Sequence, residues 1–171
     1  GSAGVEAIRM AVADMGGAVS RDYGVLIEEM TPPSDGFAAD PSAAVGRREA
    51  RERAVQLCYE AEQRSLSLAD ILAEQIIDPE PYTSTLVVGV ERHGNQIDGL
   101  LSRFSKGWTV ERMPALDRAI LRVGMYELGH EPEVPTPVVL NEAVELANSY
   151  STDDSGRFVN GVLAAAAREL R

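Results

Sequence analysis

The sequence predicts an all-α protein, and three observations carry that expectation. Apolar residues from Gly46 onward recur at the three- and four-residue spacings that line one face of a helix. Prolines fall at the edges of these patterned stretches, where helices start or stop. Nowhere does the sustained period-two alternation of a half-buried strand appear. A chain of 171 residues is long enough to bury one core but short for two full domains. The expected organisation is an acidic N-terminal extension over residues 1–45, read as partly tag or linker, and one helical domain over residues 46–171.

The extension stands apart in composition. Arg9 and Arg21 face Glu6, Asp14, Asp22, Glu28, Glu29, Asp35 and Asp40, a local charge of −5. Gly1-Ser2 resembles a cloning scar, and Met30 is a candidate native start. Gly16-Gly17 interrupts a short helical pattern over Val5–Met15, and Thr31–Ala44, with Pro32, Pro33, Gly36 and Pro41, reads as a linker.

In the domain, Ala50, Ala54, Leu57, Cys58 and Ala61 share one face of a first helix ending near Arg64. Ser67 is the expected N-cap of a short second helix, with Asp70 in its first turn and Pro79 and Pro81 stopping it. A long third helix follows, striped by Leu86, Val90, His93, Ile97, Leu100 or Leu101, and Phe104, until Gly107 ends the pattern. Thr109 caps a short turn. Pro114 suits the start of the next helix, whose apolar face is Leu116, Ile120, Val123 or Gly124, and Leu128. Pro132, Pro135 and Pro137 form a connection. Pro137 can open the helix carrying Leu140, Ala143, Val144, Ala147 and Tyr150, and Ser151–Asp154 offers caps for a last helix burying Phe158, Val162, Leu163 and Ala166.

Composition excludes several classes. Cys58 is the only cysteine, so no internal disulfide forms, and with two histidines at no ligand-like spacing no metal site is expected. A reducing cytoplasm suits such a chain. The richest apolar runs, Leu86–Val90 and Val162–Ala167, fall far short of the ~18 residues of a membrane span. Gly89 and Gly94 lie inside helical patterning rather than at a strand-to-helix turn, so neither a phosphate-binding loop nor a nucleotide cofactor is expected. The net charge of −11 argues against indiscriminate coating of nucleic acid. A local basic patch can still act, because charges beyond about 8–10 Å are largely screened at physiological salt.

The stretch GRREARERAVQLCYEAE holds such a patch. Arg47, Arg48 and Arg51 project within a sector of ~100° on a helix of 3.6 residues per turn, whereas Arg53 points elsewhere. Cations at a helix N-terminus oppose the macrodipole at a cost of about 0.3–1 kcal/mol each. Phosphate would compensate, accepting from guanidinium and exposed helix N–H groups together. Tyr59 follows on roughly the same side, about 16 Å along the axis from Arg48 at 1.5 Å per residue, and aromatic rings commonly stack single-stranded bases. The plainer alternative is a solvated helix start, its arginines offset by Glu49 and Glu52, with Tyr59 at the edge of the core.

Downstream, DRAILRVGMYEL, PVVLNEAVELANSYSTDDS and RFVNGVL follow the arginine-led helix in an order and spacing that closely resemble the NusB family. The resemblance spans about Gly46 to Leu163 and implies that family's fold, a compact bundle of about seven helices in two packed subdomains. It implies binding of the single-stranded boxA element of ribosomal RNA leaders together with the ribosomal protein NusE, within the transcription elongation complex, and no catalysis. By position, Arg47, Arg48, Arg51 and Tyr59 match the family's RNA-binding arginines and aromatic, and Asp154 and Phe158 match residues near the same RNA path. Glu111 and Asp117 match the acidic side facing NusE, where acids suit a basic ribosomal protein. Each has a plainer reading: Asp154 as a helix cap, Phe158 as core, and Glu111 and Asp117 as solvated charges. Asn141 and Asn160 read as buried structural amides, Trp108 and Cys58 as packing residues, and His93 as a helix-face residue.

Two features depart from the family's pattern. Glu49 stands where positive charge is usual, and the acidic extension lies just upstream, where it could compete with RNA for the arginines. NusB-like domains also occur fused to rRNA cytosine methyltransferases, but this sequence offers no cofactor loop or second cysteine for such chemistry. A helical adaptor or homodimer with an eroded RNA site is the competing reading.

Overall fold

A computed structural model describes the protein over residues 41–171, with side chains from Val45 onward. Six α-helices follow one another among the described residues: α1 (Pro41–Gln63), α2 (Leu68–Ala73), α3 (Pro81–Phe104), α4 (Ala115–His130), α5 (Thr136–Tyr150) and α6 (Ser155–Leu170). One 3₁₀ turn, Val110–Arg112, precedes α4. The all-α expectation holds. The helical pattern over Val5–Met15 and the candidate start at Met30 lie outside the described residues, and α1 begins at Pro41, inside the stretch read as linker.

Chemistry at the helix ends matches much of the sequence reading. The Ser67 hydroxyl accepts from the Asp70 amide at 3.1 Å and caps α2. Glu80 does the same for α3, accepting from Tyr82 at 2.9 Å and Thr83 at 3.2 Å, with Pro81 opening the helix. The end of α1 uses a left-handed residue without being glycine: Ser65 has φ 53°. Around it the Leu66 amide donates to the Ala61 carbonyl at 2.9 Å, the six-to-one bond of a Schellman motif.

α4 is the central element, packed on α1, α3, α5 and α6. The sequence reading gave it a single stripe, whereas Leu116, Ala119, Ile120, Leu121, Val123, Met125, Tyr126 and Leu128 are all buried, around nearly the whole helix. A helix surrounded by others has no solvent face to keep polar. Small residues let its neighbours approach. A Cβ on Gly89 of α3 would come within 2.1 Å of the Tyr126 ring, and one on Gly124 would meet Leu163 of α6 at 2.8 Å. No helix among the described residues is long and apolar enough to cross a membrane.

Candidate nucleic-acid interface

α1 begins at Pro41, so Arg47, Arg48 and Arg51 lie beyond its first turn rather than at the helix N-terminus that the sequence suggested, and they sit at three different depths. Arg47 is exposed, its guanidinium carbon 5.2 Å from the centroid of the Tyr82 ring, a cation–π contact. Arg48 is half-buried, with Nε 3.8 Å from Glu142 Oε2 on α5. Arg51 is 3% exposed, and its Nε donates to both oxygens of Glu127 on α4, at 2.9 and 3.1 Å. The Tyr82 hydroxyl donates to the same carboxylate at 2.6 Å.

Burial works against the Arg51 charge, but Glu127 outweighs it, so the guanidinium pKa is raised. Burial, and then Glu127, also push the Tyr82 phenol up. The expectation that Arg51 meets RNA phosphate therefore needs correction. It is an interior strut tying α1 to α4, the cation that balances a buried carboxylate. Tyr82 was not anticipated, and the only sequence signal for it is an aromatic directly after the proline that opens α3.

Tyr59 is half-buried farther along α1 and packs against the core. Asp154 and Phe158 lie where α6 begins. Asp154 is exposed and makes no capping bond, and its carboxylate lies 3.8 Å from Arg157. Phe158 is half-buried, with its ring centroid 5.9 Å from that of Trp108. Trp108, read from sequence as a packing residue, is 52% exposed. α5 meets α1 at two points: Glu142 lies beside Arg48, and the Tyr150 hydroxyl donates to Glu52 at 2.6 Å.

The acidic pair divides as the arginines do. Glu111 is exposed on the 3₁₀ turn. Asp117 is 2% exposed, and its two oxygens accept from Ser151 at 2.6 Å and from Ser155 at 2.8 Å. Burial raises its pKa, and the two serine bonds pull it part of the way back. An Asp117 carboxylate facing a protein partner is thus a second expectation to correct: it secures the turn between α5 and α6 from inside. Asn141 and Asn160, expected to be buried amides, are exposed. His93 is a helix-face residue, stacked 3.8 Å from His130. Cys58 is buried, its thiol pushed up to about 12, chiefly by burial. No group of three or more His, Cys, Asp or Glu side chains among the described residues is placed to hold a metal ion.

This arrangement, an arginine-led α1 seated against a central α4 and closed by α5 and α6, coincides with a known family. The family model described as NusB family matches residues 48–168. The chain belongs to the NusB family. These proteins are transcription antitermination factors that bind RNA, not enzymes. The transcription antitermination protein NusB of Kineococcus radiotolerans is 46% identical over 122 residues, covering 69% of this chain and 90% of that protein. Among solved structures, T. maritima NusB is 32% identical with a TM-score of 0.66, covering 72% of this chain and 91% of its own. A crystal structure of antitermination factors NusB and NusE in complex with double-stranded RNA is 26% identical with a TM-score of 0.61, covering 72% and 97%. The NusB match runs from Arg48 to Arg168, so it takes in α2 to α5 whole, most of α1 and nearly all of α6, and starts one residue after Arg47.

Proposed function

We propose that this NusB-family chain binds single-stranded boxA-type leader RNA together with the ribosomal protein NusE, in support of rRNA transcription and maturation. The observation that carries the reading is the exposed Arg47 beside Arg48 in the second turn of α1, two guanidinium groups at adjacent positions that can contact backbone phosphate. In this reading Arg47 and Arg48 contact phosphate, and Tyr82 holds Arg47 in place. Tyr59, Asp154 and Phe158 lie along the RNA path, and Glu111 is the acidic contact for NusE. Arg51 and Asp117 act from beneath, by fixing α1 and the α5–α6 turn. The related NusB–NusE structure with RNA supports the same pairing of partners.

Two phosphate contacts rather than three lower the expected salt dependence. Fluorescence anisotropy with a boxA-type single strand should give a log–log slope against salt near −1.4, from ~0.7 per phosphate. Replacing Arg47 and Arg48 by alanine should flatten the slope, and a duplex competitor tests whether the single strand is preferred. The neutralisation of Arg51 by Glu127 favours one rival, a protein-binding adaptor or homodimer. Absence of saturable RNA binding even with NusE present would establish that rival.

A further inference from the structure

We infer that Trp108, buttressed by Phe158, is a stacking platform for one base of the bound RNA. This rests on the RNA-binding function proposed above. The backbone around Trp108 is built to hold the indole out. Lys106 and Gly107 take successive left-handed conformations, φ 39° and φ 94°, a reversal that favours glycine. The Ser105 hydroxyl donates to the Trp108 carbonyl at 2.6 Å, which fixes the turn from within.

The indole is 52% exposed, with Phe158 tilted against it at 44°. A tryptophan that served only to fill the core would have its polar N–H and its large apolar surface enclosed. Here the residue is half exposed, with the Phe158 ring beside the indole. The charges on these segments suit a base and its strand. Lys106 is an exposed cation available to a backbone phosphate, and Arg157 is exposed but lies 3.8 Å from the Asp154 carboxylate. Asp154, one turn before Phe158, can only accept hydrogen bonds when ionised. It would repel a phosphate but can take an exocyclic amine or a 2′-hydroxyl, the groups that distinguish a splayed RNA nucleotide.

Trp108 is the only tryptophan in the chain, so its emission reports on this position directly. Titrating the full chain with unlabelled boxA-type RNA should quench that emission in step with anisotropy, and an oligomer carrying abasic sites should bind with little quenching. Trp108→Ala should weaken binding about 5- to 150-fold, the equivalent of the ~1–3 kcal/mol of one stacked base. Trp108→Phe should recover most of the loss, and Trp108→Leu should not. Circular dichroism of each variant separates lost stacking from lost folding, and quenching of the unaltered chain needs no variant. RNA binding without quenching would overturn the platform and leave the proposed function standing. No RNA binding at all would overturn both. Quenching by NusE alone, unchanged on adding RNA, would assign the pair to protein and overturn the platform.

Discussion

Arg51 carries the same charge as Arg47 and has a different fate, decided by what each side chain meets. The Arg51 guanidinium lies within the interior, with its Nη2 2.8 Å from Glu127 Oε1. Their side chains are 4% and 2% exposed, so neither charge has water to fall back on. Removing one partner of a buried pair costs about 3–5 kcal/mol, whereas replacing both by apolar groups is often close to neutral. Arg51→Ala should therefore lower stability to urea by about 3–5 kcal/mol, and Arg51→Met with Glu127→Leu should recover most of it. Equal losses in the single and double variants would show that the ion pair is not what holds this position. Arg47→Ala, at an exposed site, should leave stability nearly unchanged.

At the scale of elements, the join between α4 and the α5–α6 turn depends on one carboxylate. Asp117 accepts from Ser151 and Ser155, and Ser155 also bonds to Ser151 at 3.0 Å. Its pKa in the folded protein is raised, by burial first. A carboxyl with a raised folded value contributes stability that is full below its unfolded pKa and lost as pH rises through the folded value. Asp117→Asn removes that titration while keeping an acceptor and a similar shape. Measured by chemical denaturation from about pH 4 to neutrality, the stability of the Asn variant relative to the parent should rise with pH. A difference that stays flat across that window would mean Asp117 titrates alike in the folded and unfolded chains. Because Asp154 and Phe158 follow directly on this turn, its rigidity also sets where they stand.

The whole molecule bears a net charge of −11, and all nine charged residues upstream of Pro41 together contribute −5 of it. Like charge slows the approach of a polyanion, an effect that salt screens within about 8–10 Å at physiological ionic strength. Deleting residues 1–40 should therefore speed RNA association in stopped-flow mixing at low salt, with the two rates converging as salt rises. A rate unchanged at low salt would remove the extension from the electrostatics of binding. By itself the sequence determined the helices, the cap at Ser67, the break at Pro79 and Pro81, the absence of strand patterning, and the family. Those features rest on local spacing, backbone chemistry and strings of adjacent residues, all of which are present in one dimension. Only the tertiary structure decided that Arg51 and Asp117 face inward, that Tyr82 lies under Arg47, that α4 is enclosed on nearly every side, and that Trp108 faces water. Burial and pairing depend on residues far away in the chain, as Arg51 with Glu127 and Trp108 with Phe158 show, and no periodicity along one helix reports which neighbour will cover it.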